Sequence, residues 1–411
     1  MKNNVIVVGA GLAGLRCAQI LNDHGLHVEL IEKNAQVGGR LRSFNLDGFV
    51  IDEGFQLINP SYPELLLAGV LDNFDLRTFD AAINFVGAGG DFTLADPRRF
   101  PRQALSGMRK GRLSVRDAWA FGIVLGQARM SSVKKIMAQP DSTTREGLLA
   151  AGVSAFAIDT VLQPFLRGTF LDDALDTSWR YARLVLKSFV QANPGTHPQG
   201  IEALAKAFIP KCGKTTMRLN TEVHSIGPRE VSTNRGTFTA DFVVLASDAT
   251  AASALIGQPT VEWRPQTTWW WALPKLQNSG ALRIDLDDQL LSSALDLSSR
   301  APERSPQNCS LVATPMNGKH PTREFEDCAR QSVARLFKVS LREVELVTTT
   351  VVTQALPATL APLTLRSGAQ VGGVFCAGDY LETPSIQGAL ASGAQAARAV
   401  LNQGNFLERR R

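Results

Sequence analysis

The sequence predicts an α/β protein: a Rossmann-like, doubly wound domain gathered from separate stretches of chain and joined to a mixed α+β domain. Three observations carry the prediction. Residues 5–14 read VIVVGAGLAG, an aliphatic strand running directly into a glycine-rich turn. One helix length later a second strand, His27–Ile31, ends on Glu32. Close to the other terminus, residues 374–377 form another short aliphatic strand that closes on Gly378-Asp379 and opens a helix. Strands alternating with helices in this way build a parallel sheet with helices on both faces.

Each piece of the first unit has a physical job. Gly9 allows a tight turn, Gly11 lets backbone approach a pyrophosphate without a Cβ in the way, and Gly14 lets the helix pack closely on the sheet. The helix that begins near Leu12 and Ala13 points its positive, amide-rich end at the phosphates. Its amphipathic body, residues 15–22, stops at His24-Gly25, and the next strand delivers Glu32 where a carboxylate would accept hydrogen bonds from a ribose. The spacing therefore predicts a dinucleotide at the start of the chain.

Further along, Gly38-Gly39-Arg40 leads to residues 49–54, and residues 221–226 precede a strand at 242–246 that ends on Ser247-Asp248. The closing helix, residues 385–401, keeps Ile386, Ala389, Leu390, Gly393, Ala397 and Val400 on one side. We assign residues 1–65, 200–262 and 366–411 to the nucleotide domain, and 66–199 and 263–365 to a substrate domain. The first insertion opens with a hairpin, Ala82–Val86 and residues 91–95, turning on Gly87-Ala88-Gly89-Gly90. It continues as a helical block to Gln191, broken at Pro194-Gly195. In the second insertion, the runs 346–353 and 281–286 predict an antiparallel sheet with one covered face. Trp269, Trp270 and Trp271 lie there, and strand geometry puts the first and third on one face. They are either core or the wall of an aromatic substrate pocket.

At 411 residues the chain is long enough for two domains. Cys17, Cys212, Cys309, Cys328 and Cys376 form no CxxC pair, which fits a reducing compartment and a cytoplasmic location. The five histidines show no ligand spacing, so no metal is expected. No GxSxG turn and no 18-residue apolar run occur. The net charge of +5 is unevenly spread: seven basic residues and no acid lie between Arg98 and Arg116, with Trp119, Phe121 and Ile123 following. A solvated basic face is one reading of residues 98–125; peripheral contact with an anionic membrane surface, or with a partner that supplies an apolar substrate, is the other. Nucleic acid is not expected, because stacking aromatics do not interleave with these charges.

Glu32 favours a free ribose 2′-hydroxyl, which leaves NAD or FAD. Arg40 can pair with a pyrophosphate, and Asp379 followed by a helix start can hold ribityl hydroxyls and the negative edge of a reduced flavin. These features select FAD. The segments VIVVGAGLAGL (5–15), IEKNAQVGGRLRS (31–43), DGFVIDEGFQLI (47–58) and VFCAGDYLETPSIQGALASGAQAAR (374–398) resemble the FAD-dependent family that joins flavin amine oxidases, protoporphyrinogen oxidases and phytoene-desaturase-like enzymes. The resemblance implies that Gly9, Gly11, Leu12, Ala13, Gly14 and Gly39 hold the pyrophosphate, with Glu32 and Lys33 at the adenosine ribose. It implies Arg40 at the pyrophosphate or ribityl chain and Val223 against adenine. Gly378, Asp379 and Ile386 would serve the ribityl and flavin end, and Phe55 and Gln56 the isoalloxazine ring.

The chain departs from the amine-oxidase pattern where an aromatic cage would stand, at Glu382 and Ser385. The expected reaction is therefore hydride transfer from a C–H bond of an apolar small molecule to flavin N5, of desaturase or oxidase type. Amine oxidation, flavin-dependent isomerisation and flavin binding without turnover are the alternatives. No acid–base residue is identified; Lys187, Lys206 and Lys275 are candidates by position alone, and Cys376 reads as core rather than a flavin tether. Substrate, electron acceptor and oligomeric state are not readable.

Overall fold

A computed structural model describes residues 4–95, 113–277, 280–288, 290–366 and 368–406. Six strands form one sheet in the order Gln370–Val371, Val374–Cys376, Phe242–Leu245, Asn4–Val8, His27–Ile31 and Thr216–Arg218. Its pairings are parallel apart from the small hairpin at 370–376. Val8 aligns with both Leu245 and Ile31, and Leu245 in turn with Cys376. Strands from the two ends of the chain thus stand in one sheet, separated only by Phe242–Leu245.

Period-two alternation sorts the central strand between two cores. Val5 and Val7 pack with helices Leu12–Asp23 and Ile386–Gln403, through Leu15, Ala18 and Ala397. Ile6 and Val8 face the opposite way, onto Val231 and Ala252. Those residues belong to the antiparallel sheet Val223–Ile226, Glu230–Thr233, Gly236–Thr239 and to helix Ala249–Ile256, which cover that face. The two helices of the first core touch backbone to backbone. A Cβ added at Gly393 would lie 2.1 Å from the Ala13 carbonyl oxygen, so only glycine fits that crossing.

The tryptophan strand, Trp263–Pro274, runs through the middle of a second sheet, antiparallel to Cys309–Asn317 and Glu345–Pro357, with Leu295–Asp296 at its edge. Trp269 and Trp271 pack with Val333, Leu336 and Phe337 of helix Arg323–Phe337, while Trp270 faces Phe49, Ile51 and Phe79. All three rings are buried core. The indole N–H groups of Trp270 and Trp271 donate to the Thr350 and Thr314 hydroxyls at 3.1 and 2.8 Å, as burial of an indole requires.

One sequence expectation fails here. The run 281–286 does not join the antiparallel sheet; Leu282–Asp285 pairs in parallel with Ala82–Val86, which forms the expected hairpin with Phe92–Ala95. Alternation reports which residues face a core, but a pairing partner some two hundred residues upstream leaves no local trace. Helices Val115–Met130, Gln163–Phe170 and Trp179–Gln191 pack against this three-stranded sheet through Val124, Leu166 and Ala182.

A buried ion pair ties the hairpin of Ser43–Leu46 and Phe49–Asp52 to the segment leading into the second sheet. Arg304, completely buried, reaches Asp52 at 2.8 Å and donates to the Thr196 hydroxyl at 2.7 Å and to the Val50 carbonyl. Asp52 also accepts from the Ser43 hydroxyl and the Ile201 amide. With hydrogen bonds on both partners beyond the ion pair itself, such a pair can be held in the interior.

Candidate cofactor and active site

One cavity of about 1760 Å³ runs from the opening glycine turn, past the sheet's carboxyl edge, into the helices of residues 115–191. Small-molecule sites are usually about 300–1,000 Å³, so this volume suits a long ligand plus a second molecule. Its position beyond the carboxyl ends of parallel strands is where doubly wound sheets bind nucleotides.

At one end the walls are bare backbone. Gly9 has φ of +104°, and a Cβ there would sit 2.4 Å from the Ala246 carbonyl oxygen. A Cβ on Gly39, at φ +60°, would lie 3.2 Å from the Gly11 Cα. Leu12 and Ala13, whose amides have no partner within the helix's first turn, line the cavity at this point. Free amides, a helix dipole and the missing side chains fit a pyrophosphate. Gly14 does not line the cavity, so it serves the packing role its spacing predicts and not the pyrophosphate role that the resemblance implies. Its absent Cβ would collide with the Gly9 carbonyl oxygen at 1.9 Å, so its task is to seat the helix on the turn.

Glu32 is buried at the end of its strand, and the amides of Ala10 and Asn34 donate to it, each at 2.9 Å. The Asn34 side-chain amide makes a third bond. A carboxylate offers about four acceptor sites, so this one is fixed in place with capacity left for ribose hydroxyls. Lys33 and Val223 line the same end.

Arg40 lies midway along the cavity, 2.5 Å from Asp379, and donates to the Ala355 carbonyl at 3.0 Å. Burial opposes its charge, but Asp379 and Asp248 outweigh that and raise its pKa further. The guanidinium also stacks over Trp263, 5.5 Å from the ring centre. Asp379 follows strand Val374–Cys376, which brings it opposite an arginine 339 positions earlier in the chain.

The C-terminal helix starts where the sequence places it. Ser385 caps it by accepting from the Gly388 amide at 3.0 Å, and Ile386 lines the cavity at the helix's positive end. Gln387 accepts from the Glu64 amide at 3.0 Å, which pins this helix start to helix Pro63–Ala68. Phe55 and Gln56 line the wall: the Phe55 amide donates to Gln266 at 3.0 Å, and the Gln56 side chain donates to the Arg40 carbonyl at 3.4 Å. Asn34, Gln266 and Gln387 went unnoticed in the sequence. Only Ser385, a capping residue just before a periodic run, carried a readable signal.

The three lysines do not act as a group. Lys187 lines the cavity, but its ammonium donates to the Arg129 and Ser131 carbonyls at 2.8 and 3.0 Å and so caps the end of helix Val115–Met130. Lys206 pairs with Glu202 on the surface, and Lys275 is exposed away from the cavity. Burial raises Tyr62 to about 12 and Tyr181 higher still, so both cavity phenols stay neutral at physiological pH. Tyr181 donates to the Pro384 carbonyl at 2.9 Å. Cys376 is buried in its strand and does not line the cavity. Among the described residues no cluster of His, Cys, Asp or Glu could hold a metal ion.

Past Phe55, Gln56 and Ile386 the lining becomes apolar, with Ile83, Leu94, Phe121, Leu125, Phe165 and Phe189. Phe165 and Phe189 are tilted against each other, 5.6 Å between ring centres. Glu382 and Ser385 both line the cavity and carry no ring, and Glu382 accepts from Gln395 at 2.6 Å.

This arrangement, a nucleotide-binding α/β sheet whose cavity continues into an apolar chamber, defines the class of the protein. Residues 12–285 match the family described as flavin containing amine oxidoreductase. The chain belongs to that family, a family of FAD-dependent oxidoreductases, and its cofactor is FAD. It is 41% identical over 69 residues to a 4,4'-diapophytoene desaturase (4,4'-diapolycopene-forming) of Methylomonas sp, a match covering 17% of this chain and 12% of that one. It is also 41% identical over 73 residues to protoporphyrinogen oxidase 2, chloroplastic/mitochondrial, of Arabidopsis thaliana, covering 18% and 14%. The matches thus span less than a sixth of these relatives' lengths. An oxidoreductase from Methanosarcina mazei shares the fold over 96% of this chain and 100% of its own, with a TM-score of 0.76 at 14% identity.

Proposed function

We propose that the chain oxidises an apolar small molecule by taking hydride from a C–H bond onto N5 of its FAD, in the manner of a desaturase or oxidase. The single observation that carries this is the chamber beyond Phe55 and Gln56, lined by Ile83, Leu94, Phe121, Leu125, Phe165 and Phe189. FAD, when bound, supplies the hydride acceptor. Gly9, Gly11, Leu12, Ala13 and Gly39 would hold its pyrophosphate, Glu32 its adenosine ribose, and Arg40 with Asp379 its ribityl side. Ile386, at the positive end of its helix, would stabilise negative charge at the pyrimidine edge.

The chain's own part in the reaction is to position the substrate and exclude water. An amine substrate would want a free carboxylate for its ammonium group. The carboxylates near the chamber are already engaged: Asp379 by Arg40, Glu382 by Gln395 and Asp80 by Arg300. Relatives include a desaturase, a protoporphyrinogen oxidase and a putrescine oxidase, so the apolar reading rests on the chamber and not on them.

The test is anaerobic mixing of the FAD-loaded protein with long polyenes, tetrapyrroles and primary amines while the visible flavin band is recorded. Bleaching by a polyene or tetrapyrrole supports the proposal. Bleaching by amines alone, or by nothing in the panel, overturns it.

A further inference from the structure

Helix Val115–Met130 has two faces that its place in the fold does not explain alike. Ala120, Val124 and Ala128 are buried against the neighbouring helices. On the opposite side Val115, Trp119, Ile123 and Met130 follow one another at helical spacing, and all are exposed, Trp119 at 72% and Met130 at 84%. Exposed apolar residues are ordinary singly; a continuous row on one helix, led by a tryptophan, is not. Gly122 and Gly126 complete the row. Each costs helix stability of about 1 kcal/mol relative to alanine, and a Cβ at either would meet nothing within 4 Å, so close packing does not require them.

The cavity reaches this same face. Phe121, Gly122, Leu125 and Gly126 line it, and both glycines are exposed, so the chamber wall and the exposed row share this helix. The exposed charges on this helix and the next are basic. Arg116 and Arg129 flank the row, and Lys134 and Lys135 are exposed on the following helix, Val133–Met137. The one acid on the 115–130 helix, Asp117, is buried as a cap. The sequence immediately before the helix adds six arginines and lysines between Arg98 and Arg112 with no acid; their positions lie outside the described residues. A second copy of this chain would bring the same positive rim against itself, whereas an anionic lipid surface complements it.

We infer that the outer face of helix 115–130 docks on an anionic membrane surface, with Trp119, Ile123 and Met130 entering the headgroup boundary and the basic rim holding lipid phosphates. The chamber wall at Gly122 and Gly126 then faces the lipid, so an apolar substrate can pass there between bilayer and chamber without crossing water. No helix of the described residues is long and apolar enough to cross the membrane, which makes this a contact in the plane of the interface. The access route rests on the apolar-substrate proposal. The membrane contact does not, so the two can fail separately.

The experiment is co-sedimentation of the FAD-loaded protein with phosphatidylcholine vesicles, with and without about one-third phosphatidylglycerol. Binding to the anionic vesicles at least about tenfold tighter than to the neutral ones is expected. The triple variant Trp119→Ser, Ile123→Ser, Met130→Ser should lose about tenfold or more of that binding. It should keep its flavin and its unfolding midpoint, because none of the three residues packs in the core. Absence of wild-type binding to both vesicle types overturns the inference. So does a triple variant that binds like the wild type, or a wild-type dimer in solution that the variant abolishes.

Discussion

Two side chains carry the proposed grip on the cofactor, Glu32 at one end of the cavity and Arg40 midway along it. Glu32 is held by three hydrogen bonds from Ala10 and Asn34, so removing it takes away both a ligand-facing acceptor and a partner of the turn itself. Hydrogen bonds to charged groups are worth about 1.5–3 kcal/mol. Glu32→Ala should therefore weaken FAD retention about ten- to a hundredfold, read by fluorescence of flavin released on dilution. Arg40→Ala should do the same from the other side, because it leaves Asp379 buried in the cavity wall without its cation. Arg40→Lys, which restores a charge but not the planar fork, should recover only part of the loss. Wild-type retention in both alanine variants would mean that the cofactor lies elsewhere.

Helices contribute what single residues cannot. The crossing of helices Leu12–Asp23 and Ile386–Gln403 depends on Gly393, whose hydrogen faces the Ala13 carbonyl. Gly393→Ala should cost about 1–3 kcal/mol through overpacking, and it should loosen FAD as well, since Ala13 and Ile386 move with the two helices. Urea unfolding with and without FAD reads both effects; an unchanged midpoint would show that the crossing is slack. Helix Val115–Met130 offers a pH-dependent case. Asp117 accepts from the Ser114 hydroxyl and from the amides of Ser114 and Ser154, and so serves two helix starts. Burial opposes its charge, yet these hydrogen bonds prevail and hold its pKa below the usual aspartate value. A lowered folded-state pKa adds stability above the unfolded value, and that stability disappears as pH falls through the folded one. Asp117→Asn should thus be less stable than wild type by about 1–2 kcal/mol at neutral pH, with the gap closing below about pH 4. A gap independent of pH would contradict this account of the cap.

Over the whole molecule, sequence and structure agree where the information is local. The turn at Gly9 and Gly11, the carboxylate at Glu32 and the helix start at Ile386 could be read because each is a strand, a break and a helix within about a dozen residues. The tryptophan triplet was readable as two faces but not as core or pocket, since only the packing of Val333 and Leu336 behind it decides between them. Contacts between distant segments left no such trace. Nothing near Asp52 announces Arg304, nothing near Ala82 announces Leu282, and Gly393 looks like any small residue on a periodic helix until Ala13 is placed against it.

The central claim belongs to this scale: both ends of the chain hold one cofactor across one sheet. The most direct measurement is a crystal structure of the protein with FAD bound. The account predicts a single FAD extended through the cavity, with its adenosine at Glu32, its pyrophosphate on the Leu12 and Ala13 amides and its isoalloxazine at Ile386. A cofactor that touches the amino-terminal turn but not the carboxy-terminal helix, or that lies outside the cavity, would contradict it.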